Sequence, residues 1–532
     1  MKNRMIAASL AAAMLALPLA ACSSGTGSAG ATTAGSAGSQ TTAAGDTGAT
    51  TAAPATDGDD LTEEANLVYY LWGDEGVANQ DVLAEINEKL KADLNATLEI
   101  KYIGWSDVST KYPLLFTSGE SFDLTHASPS AAVSYFTLAG QDVLVDITDD
   151  LDAVPTLKST IPQETWDTAA YKGRIYGVPT LYSEFTPYGF AYRSDLLEKY
   201  GLSKIDSLDS MEAYMQAVVA NEDFAPLNGN TTDAINLYRM FVGSTDSWLT
   251  APGIPEDQLF LVATDETASD IIDPAFTDEF EAWAEKMKDW ADQGFWPQDI
   301  MAAQTSAKDN LLNGISAGFI THMPDWTGNY GAEETSLPGV YVDWWSPAVD
   351  NGKIVKKPGV DNTTAISVTS EHPVRALKVI EKFMTDESYY DLLQYGIEGR
   401  QYEIADGKVQ KPASYNDQTD AYGVSAWSLR NDALNIPLAS EDPVRYDLIN
   451  EWKETAIDSP FAGFTFDPAN VSTELSSIAN VNANLGTQLM LGKTQDDVKT
   501  AVEDYRQQLK DAGVEKVIEE VKTQYEAFKA GN

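Results

Sequence analysis

YKGRIYGVPTLYSEFTPYGFAYRSDLLEKY, residues 171–200, carries three local signals in a row. Ile175-Tyr176-Gly177-Val178 is a short apolar run that ends at Pro179. Proline cannot donate to a sheet ladder, so the run reads as a brief strand closed by its proline. Tyr182, Phe185, Tyr188, Phe190 and Tyr192 then crowd one segment. Ser194 opens a helix signal with Asp195 in its first turn, and Gly201 ends it. A chain that leaves one compact unit, skirts a cleft and enters a second would have this order. So would an aromatic-rich strand pair inside one core, and the residues alone allow both.

Upstream the pattern is α/β. Leu67–Leu71 is a continuous apolar run, as in a buried strand. Gln80–Asn95 puts Val82, Leu83, Ile86, Leu90 and Leu94 on one helical face, and Thr97–Ile103 alternates Leu98, Ile100 and Tyr102. Strand, helix and strand in that order make a βαβ unit with parallel strands and a right-handed crossover. Trp72–Gly76 then falls at the carboxyl end of the first strand, where open α/β sheets place ligands. Tyr112–Gly119 and Phe122–Leu124 repeat helix and strand, with His126-Ala-Ser128 at that strand's carboxyl end. Downstream, Phe276, Phe280, Trp283, Met287 and Trp290 form a helical stripe closed by Gly294, a pattern that belongs to a core more often than to a ligand platform. Ala365–Thr369 is strand-like and Pro373–Thr385 helical, and two amphipathic helices follow: Val498–Leu509, ended by Gly513, and Val517–Phe528.

The amino terminus has a different character. Lys2 and Arg4 precede the apolar, alanine-rich run Ile6–Leu19, which closes with Leu19-Ala-Ala-Cys22. The run is short for a membrane span, which needs about 20 apolar residues, and suits a secretory signal. Its ending resembles a bacterial lipobox, in which the cysteine is lipidated and becomes the first mature residue. Cys22 is the only cysteine, which excludes a disulfide framework. Residues 23–60 are almost wholly Ser, Gly, Thr and Ala, a composition that cannot bury enough apolar surface to fold and reads as a tether.

The remainder suits two or three domains. The chain has a formal net charge of −46, so it repels phosphate backbones and nucleic acid is a poor partner. His126, His322 and His372 are its only histidines, far apart and without cysteine partners, which makes a zinc site or a Ser-His-Asp triad a poor reading. Neither a Walker loop nor a G-x-G-x-x-G loop follows a strand, and no cofactor is expected.

KGRIYGVPTLYSEFTPYGFAYRSDLLEKYG resembles the domain-crossing segment of family 1 extracellular solute-binding proteins, the lipoprotein receptors of ABC importers. Four more stretches are similar to large members of that family: Gly104–Leu124; Thr364–Glu403, with its G-I-E-G-x-x-Y-E core; Ser459–Val481; and Leu509–Phe528. The last two resemble the carboxyl-terminal region of the large glycan-receptor branch. The resemblance implies a two-lobed α/β fold of the periplasmic-binding-protein type (type II), each lobe a mixed sheet flanked by helices, with the ligand cleft between them. It implies discontinuous lobes, residues 61–181 with 361–434 and residues 182–360 with 435–532. It further implies a monomeric, lipid-anchored receptor on the extracellular face of the membrane that closes on a carbohydrate, an oligosaccharide in this branch, and delivers it to ABC permease subunits. Some large members carry a calcium loop. Here Asp146–Asp152 has alternate carboxylates but lacks the central glycine and distal glutamate, so no metal is expected.

A sugar offers apolar C–H faces to aromatic rings and hydroxyls to carboxylate, amide and guanidinium groups. Aromatic residues at strand ends and in polar loops are the candidate platforms: Trp72, Tyr182, Tyr188, Trp248, Trp326, Trp345 and Trp427. Asp74, Asp123, Glu184, Asp325 and Arg400 are the polar candidates. Packing or an ion pair is the competing role for each. A surface-anchored glycoside hydrolase could use the same cleft with two carboxylates at a set separation, and an adhesin or sensor would need the cleft alone.

Overall fold

In a computed structural model of the chain, the run at Leu67–Leu71 lies in a strand covered on both faces. The structure describes residues 61–531 apart from 105–106, 129–132, 246–247, 252–253, 255–258, 330–339 and 465. The signal, Cys22 and the tether lie outside the described residues. In chain order the elements that matter are β1 (Ala65–Trp72), α1 (Asn79–Leu94), β2 (Ala96–Ile103), β3 (Leu124–Ala127), β4 (Gly177–Pro179) and β5 (Tyr188–Arg193). Next come α2 (Asp233–Gly243), α3 (Asp278–Asp292), β6 (Gly318–His322), α4 (Met323–Asn329), β7 (Val342–Trp345) and β8 (Thr363–Ile366). The chain ends with α5 (Pro373–Thr385), α6 (Val444–Thr455), α7 (Val498–Asp511) and α8 (Val514–Gly531).

The first sheet has the order β2-β1-β3-β8-β4. β1 runs parallel to β2 in continuous register, Ala65 opposite Ala96 through Trp72 opposite Ile103, and parallel to β3. α1 is the crossover, and its five apolar positions are all buried. Successive side chains of a strand point to opposite faces, and β1 divides accordingly. Leu67, Tyr69 and Leu71 join α1 and α5 in one core, while Val68, Tyr70 and Trp72 join Tyr112, Phe122 and Tyr135 in another. β8 runs antiparallel to both of its neighbours, β3 and β4. Pro179 lies in β4, the edge strand, where its missing N–H leaves no gap in the ladder.

Some boundaries differ from the sequence reading. The strand expected over Ala365–Thr369 is Thr363–Ile366. It stops there because the Ser367 and Thr369 hydroxyls bond each other at 2.8 Å and the Thr369 amide donates to Ser367 Oγ, turning the chain out. The helix expected over Tyr112–Gly119 runs from Val108 to Leu115, with Pro113 in its second turn, and the strand expected at Phe122–Leu124 is Leu124–Ala127.

The second sheet, β6-β5-β7, is antiparallel throughout, whereas the resemblance implies a mixed one. Its alternation sends Phe190, Tyr192, Ile320 and Trp345 to one core and Ala191, Phe319 and Trp344 to the other. α3 packs Phe280, Trp283, Met287 and Trp290 into the first of these cores, and Thr277 caps it by accepting from the Phe280 amide. Val502, Tyr505, Leu509, Val517, Val521 and Tyr525 of the two final helices enter the same core.

Candidate functional site

The chain passes between the two sets of cores along three segments, and these segments bond to one another. Thr180 Oγ1 donates to the carbonyls of Trp427 and Arg430 at 3.1 Å each. The Leu181 amide donates to the Arg430 carbonyl at 3.1 Å, the Ser183 amide to Asp432 Oδ1 at 3.2 Å, and Asn362 Nδ2 to Glu184 Oε2 at 3.3 Å. Around this junction both sheets present aromatic and polar side chains.

On the first-sheet side, Trp72 ends β1 half-buried, its ring centroid 4.4 Å from that of His126 on β3 and 5.2 Å from that of Tyr112, edge-on. Trp427 meets His126 edge to face at 6.2 Å. Trp72 Nε1 and His126 Nδ1 are buried without hydrogen-bond partners among the described residues. Asp74 is exposed in the turn beyond Trp72. On the second-sheet side, Tyr188 begins β5 directly opposite His322 at the end of β6, with their rings 5.5 Å apart. Arg239 of α2 lies over the Tyr188 ring at 5.0 Å and donates to its hydroxyl at 2.9 Å. Between the two sides, Lys357 Nζ is 3.8 Å from Glu184 and 3.6 Å from Asp361. Burial raises the Asp361 carboxyl, with Lys357 opposing and the Glu184 charge adding to the rise.

Burial likewise pushes both imidazoles down. His126 titrates at about 4 for that reason, and so does His322, where Asp325 and Glu184 act against Lys357 and Arg239. Both rings are neutral at pH 7; the Asp325 amide occupies His322 Nδ1, which leaves Nε2 of that ring as a donor, while His126 Nδ1 has no partner among the described residues. An unfolded chain protonates histidine near 6.5, so as pH falls from about 6.5 to about 4 these two rings make folding progressively less favourable, by roughly 1.4 kcal/mol per pH unit each. Asp273 and Asp391, raised by burial to about 7 and about 6, act with the opposite sign across an overlapping range. The check is therefore site-specific: NMR of the His126 and His322 ring carbons is expected to show neutral imidazoles down to pH 5. A midpoint near 6.5 at either would overturn this environment.

Of the sequence candidates, Tyr182, Glu184 and Trp427 lie on the crossing segments, Trp72 connects to Trp427 through His126, Tyr188 faces His322 at the start of β5, and Asp74 is exposed beyond Trp72. Asp325 lies in the first turn of α4, close to His322, whose Nδ1 accepts its amide at 3.2 Å. Burial raises its carboxyl, but hydrogen bonds from Lys308 and Thr321 outweigh that and hold it low. The remaining candidates have other partners. Asp123 sits at the amino end of β3 and accepts the Val68 amide at 2.8 Å and the Ser370 hydroxyl at 2.5 Å, which joins β1 to the turn before α5. Trp248 is buried against Phe241 at 5.3 Å. Trp326 stacks on Trp344 at 5.4 Å and donates to the Val342 carbonyl, and Trp345 is buried and donates to Asp350. Arg400 is held by Asp81 and Asp420. Asp146, Asp149 and Asp152, considered as a calcium loop, pair instead with Arg174 and Lys158.

Sequence reasoning missed His126, His322, Arg239 and Lys357 as parts of the site. For His126 a signal existed, since it follows a strand at the carboxyl end of the sheet. For the others the proximity arises only from folding.

Comparison with known proteins agrees with this architecture. A 24% identical relative, a carbohydrate ABC transporter substrate-binding protein of Streptococcus pneumoniae serotype 4, aligns over 478 residues, 86% of this chain and 90% of its own. The solved structure of the N-glycan transport solute binding protein NgtS of Streptococcus pneumoniae superposes with a TM-score of 0.72 at 20% identity, covering 87% of this chain and 99% of that one. An HMO-binding, ABC-transporter-associated solute-binding protein of Bifidobacterium longum infantis gives 0.63 at 14% identity, covering 87% and 99%. These likenesses establish the two-lobed α/β fold. Residues 460–530 match a domain of unknown function, DUF3502, and they include the two final helices that fill the core around α3. Residues 73–390 match the bacterial extracellular solute-binding protein family, and with more than half its length matched the chain belongs to that family.

Proposed function

We propose that this protein is the substrate-binding component of a carbohydrate ABC importer, capturing an oligosaccharide at the junction of its three crossing segments. The observation that carries the reading is the pairing of aromatic rings with neutral imidazoles at the ends of both sheets: Trp72 and Trp427 with His126 on the first, Tyr188 with His322 on the second. Rings bind the C–H faces of a sugar, and uncharged donor–acceptor pairs bind its hydroxyls. Trp72, Trp427 and Tyr188 are the proposed platforms, with Glu184 and Asp74 for hydroxyls. The curated relative named as a carbohydrate ABC transporter substrate-binding protein supports the substrate class and the transport role.

The proposed lobes join residues 61–181 to 361–434 and residues 182–360 to 435–532, so that each boundary falls on a crossing segment. Closure by hinge motion would bury the ligand and present the closed shape to the permease. The family and the relatives are binding proteins, and we propose that this chain has no glycan turnover of its own and acts as a monomer. Native mass spectrometry against an oligosaccharide panel tests both substrate class and chemistry. Intact glycan on a monomer is expected, whereas shortened products that increase with protein concentration would overturn the receptor reading.

Anchoring by a lipid on Cys22 rests on Leu19-Ala-Ala-Cys22 and the tether behind it. More than one acyl chain gives stable anchoring where one is marginal. Cys22→Ser is expected to move the protein from the detergent phase to the aqueous phase or leave its signal uncleaved, and unchanged detergent partitioning would refute the anchor.

A further inference from the structure

The first crossing segment is gripped by one helix of the second lobe. From α6, Trp452 packs edge-on against Phe185 at 5.8 Å, and Lys453 pairs at 2.6 Å with Asp432, the acceptor of the Ser183 amide. Arg445, at the start of the same helix, is 5% exposed. Its Nη1 donates to Thr327 Oγ1 of α4 at 3.1 Å, and its Nε lies 3.6 Å from Glu441. Its Nη2 donates to the Tyr182 hydroxyl at 2.5 Å. Arg430, on the third crossing segment, lies over the Tyr182 ring at 5.0 Å. The phenol is therefore held at its tip from one lobe and across its face from the neighbouring crossing segment. Either contact alone leaves the ring free to pivot about the other, while both together fix its plane.

We propose that Arg445 is a positioning residue for ligand capture: through the Tyr182 hydroxyl it sets the orientation of that ring in the cleft wall and couples α6 to the hinge. A guanidinium suits this role because it stays charged and spreads several donors in a fixed plane. Nη1 and Nη2 serve Thr327 and Tyr182 at once, while Nε makes no hydrogen bond among the described residues and Glu441 supplies a nearby charge. Ordering the ring before the ligand arrives removes an entropy cost from binding. The inference rests on the oligosaccharide reading only for its effect on affinity. The hinge coupling can be read without a ligand.

The test compares Tyr182→Phe, which keeps the ring and removes the bond, with Arg445→Met, the double variant and Arg445→Lys. The probes are Man1GlcNAc and Man5GlcNAc, the glycans held in solved NgtS structures. Tyr182→Phe and Arg445→Met are each expected to weaken binding about tenfold, as for loss of one hydrogen bond to a charged group. The double variant should be no weaker than the worse single, and Arg445→Lys should recover part of the loss. Wild-type affinity in Tyr182→Phe, or losses that multiply in the double variant, would overturn the proposal. If the wild-type protein binds neither glycan, these two are not its ligands, the oligosaccharide panel tests the carbohydrate reading, and hydrogen exchange of the Tyr182 and Ser183 amides decides the positioning role. Both single variants should then accelerate exchange by the same factor, and unchanged exchange in Tyr182→Phe would overturn the positioning role.

Discussion

Trp248→Ala is expected to lower stability by about 3–5 kcal/mol, the usual cost of emptying a buried tryptophan site, while leaving glycan affinity intact in the protein that remains folded. The ring is 3% exposed and meets Phe241 edge-on, and Phe241 in turn stacks on Trp283 of α3 at 5.1 Å. The cavity would open at the end of an aromatic chain of Trp248, Phe241 and Trp283 that is rooted in α3. Denaturant unfolding gives the first quantity and calorimetry the second. A stable variant with lost affinity would place Trp248 on the ligand.

Trp72→Ala carries the opposite expectation. This ring is half-buried at the carboxyl end of β1, flanked on one side by His126 and Tyr112. Removing a platform loses both its stacking contribution and its buried area, together about 2 kcal/mol or more, which is a dissociation constant weaker by about 30-fold or more. The melting temperature should fall far less than in Trp248→Ala. Calorimetry on the two variants side by side separates cleft from core, and a Trp72 variant that melts early yet binds normally would remove Trp72 from the proposed site.

The contrast between these tryptophans explains what could be read from the chain. Periodicity carried α1, the parallel pairing of β1 with β2 and the α3 stripe, because burial of one face imposes a fixed spacing on apolar residues. The strand end at Pro179 was legible for the same kind of reason, a missing donor, but the single strand read over Ile175–Val178 is two: Ile175 pairs with Ala170 in a separate hairpin, and Gly177–Pro179 joins the first sheet. Trp345 misled: it reads as a platform in a polar loop, yet it lies on β7, a strand turns neighbouring side chains to opposite faces, and both faces of β7 are covered. Trp326, in a loop-like context by sequence, stacks on Trp344 for want of any local signal that β7 lies beside α4. Trp72, Tyr188 and Trp427 could be named because they lie at strand ends or in loops, but the bonds that join the crossing segments, among residues 180–184, 362 and 427–432, span sequence distances that no local pattern encodes.

The place of β8 has a consequence for how the protein is made. Its four residues fill the gap between Leu124–Ala127 and Gly177–Pro179, so the first sheet stays split until the chain has been synthesised through Ile366. The core around α3 waits longer still, for the residues of α7 and α8 at the carboxyl terminus. Pairings this distant in sequence form slowly, and partial sheets expose unpaired edges. A nascent chain synthesised only through α6 therefore has every strand of the first sheet but not the α3 core complete. Until β8 is made, β3 presents an unpaired edge, the side on which a partial sheet can join another chain.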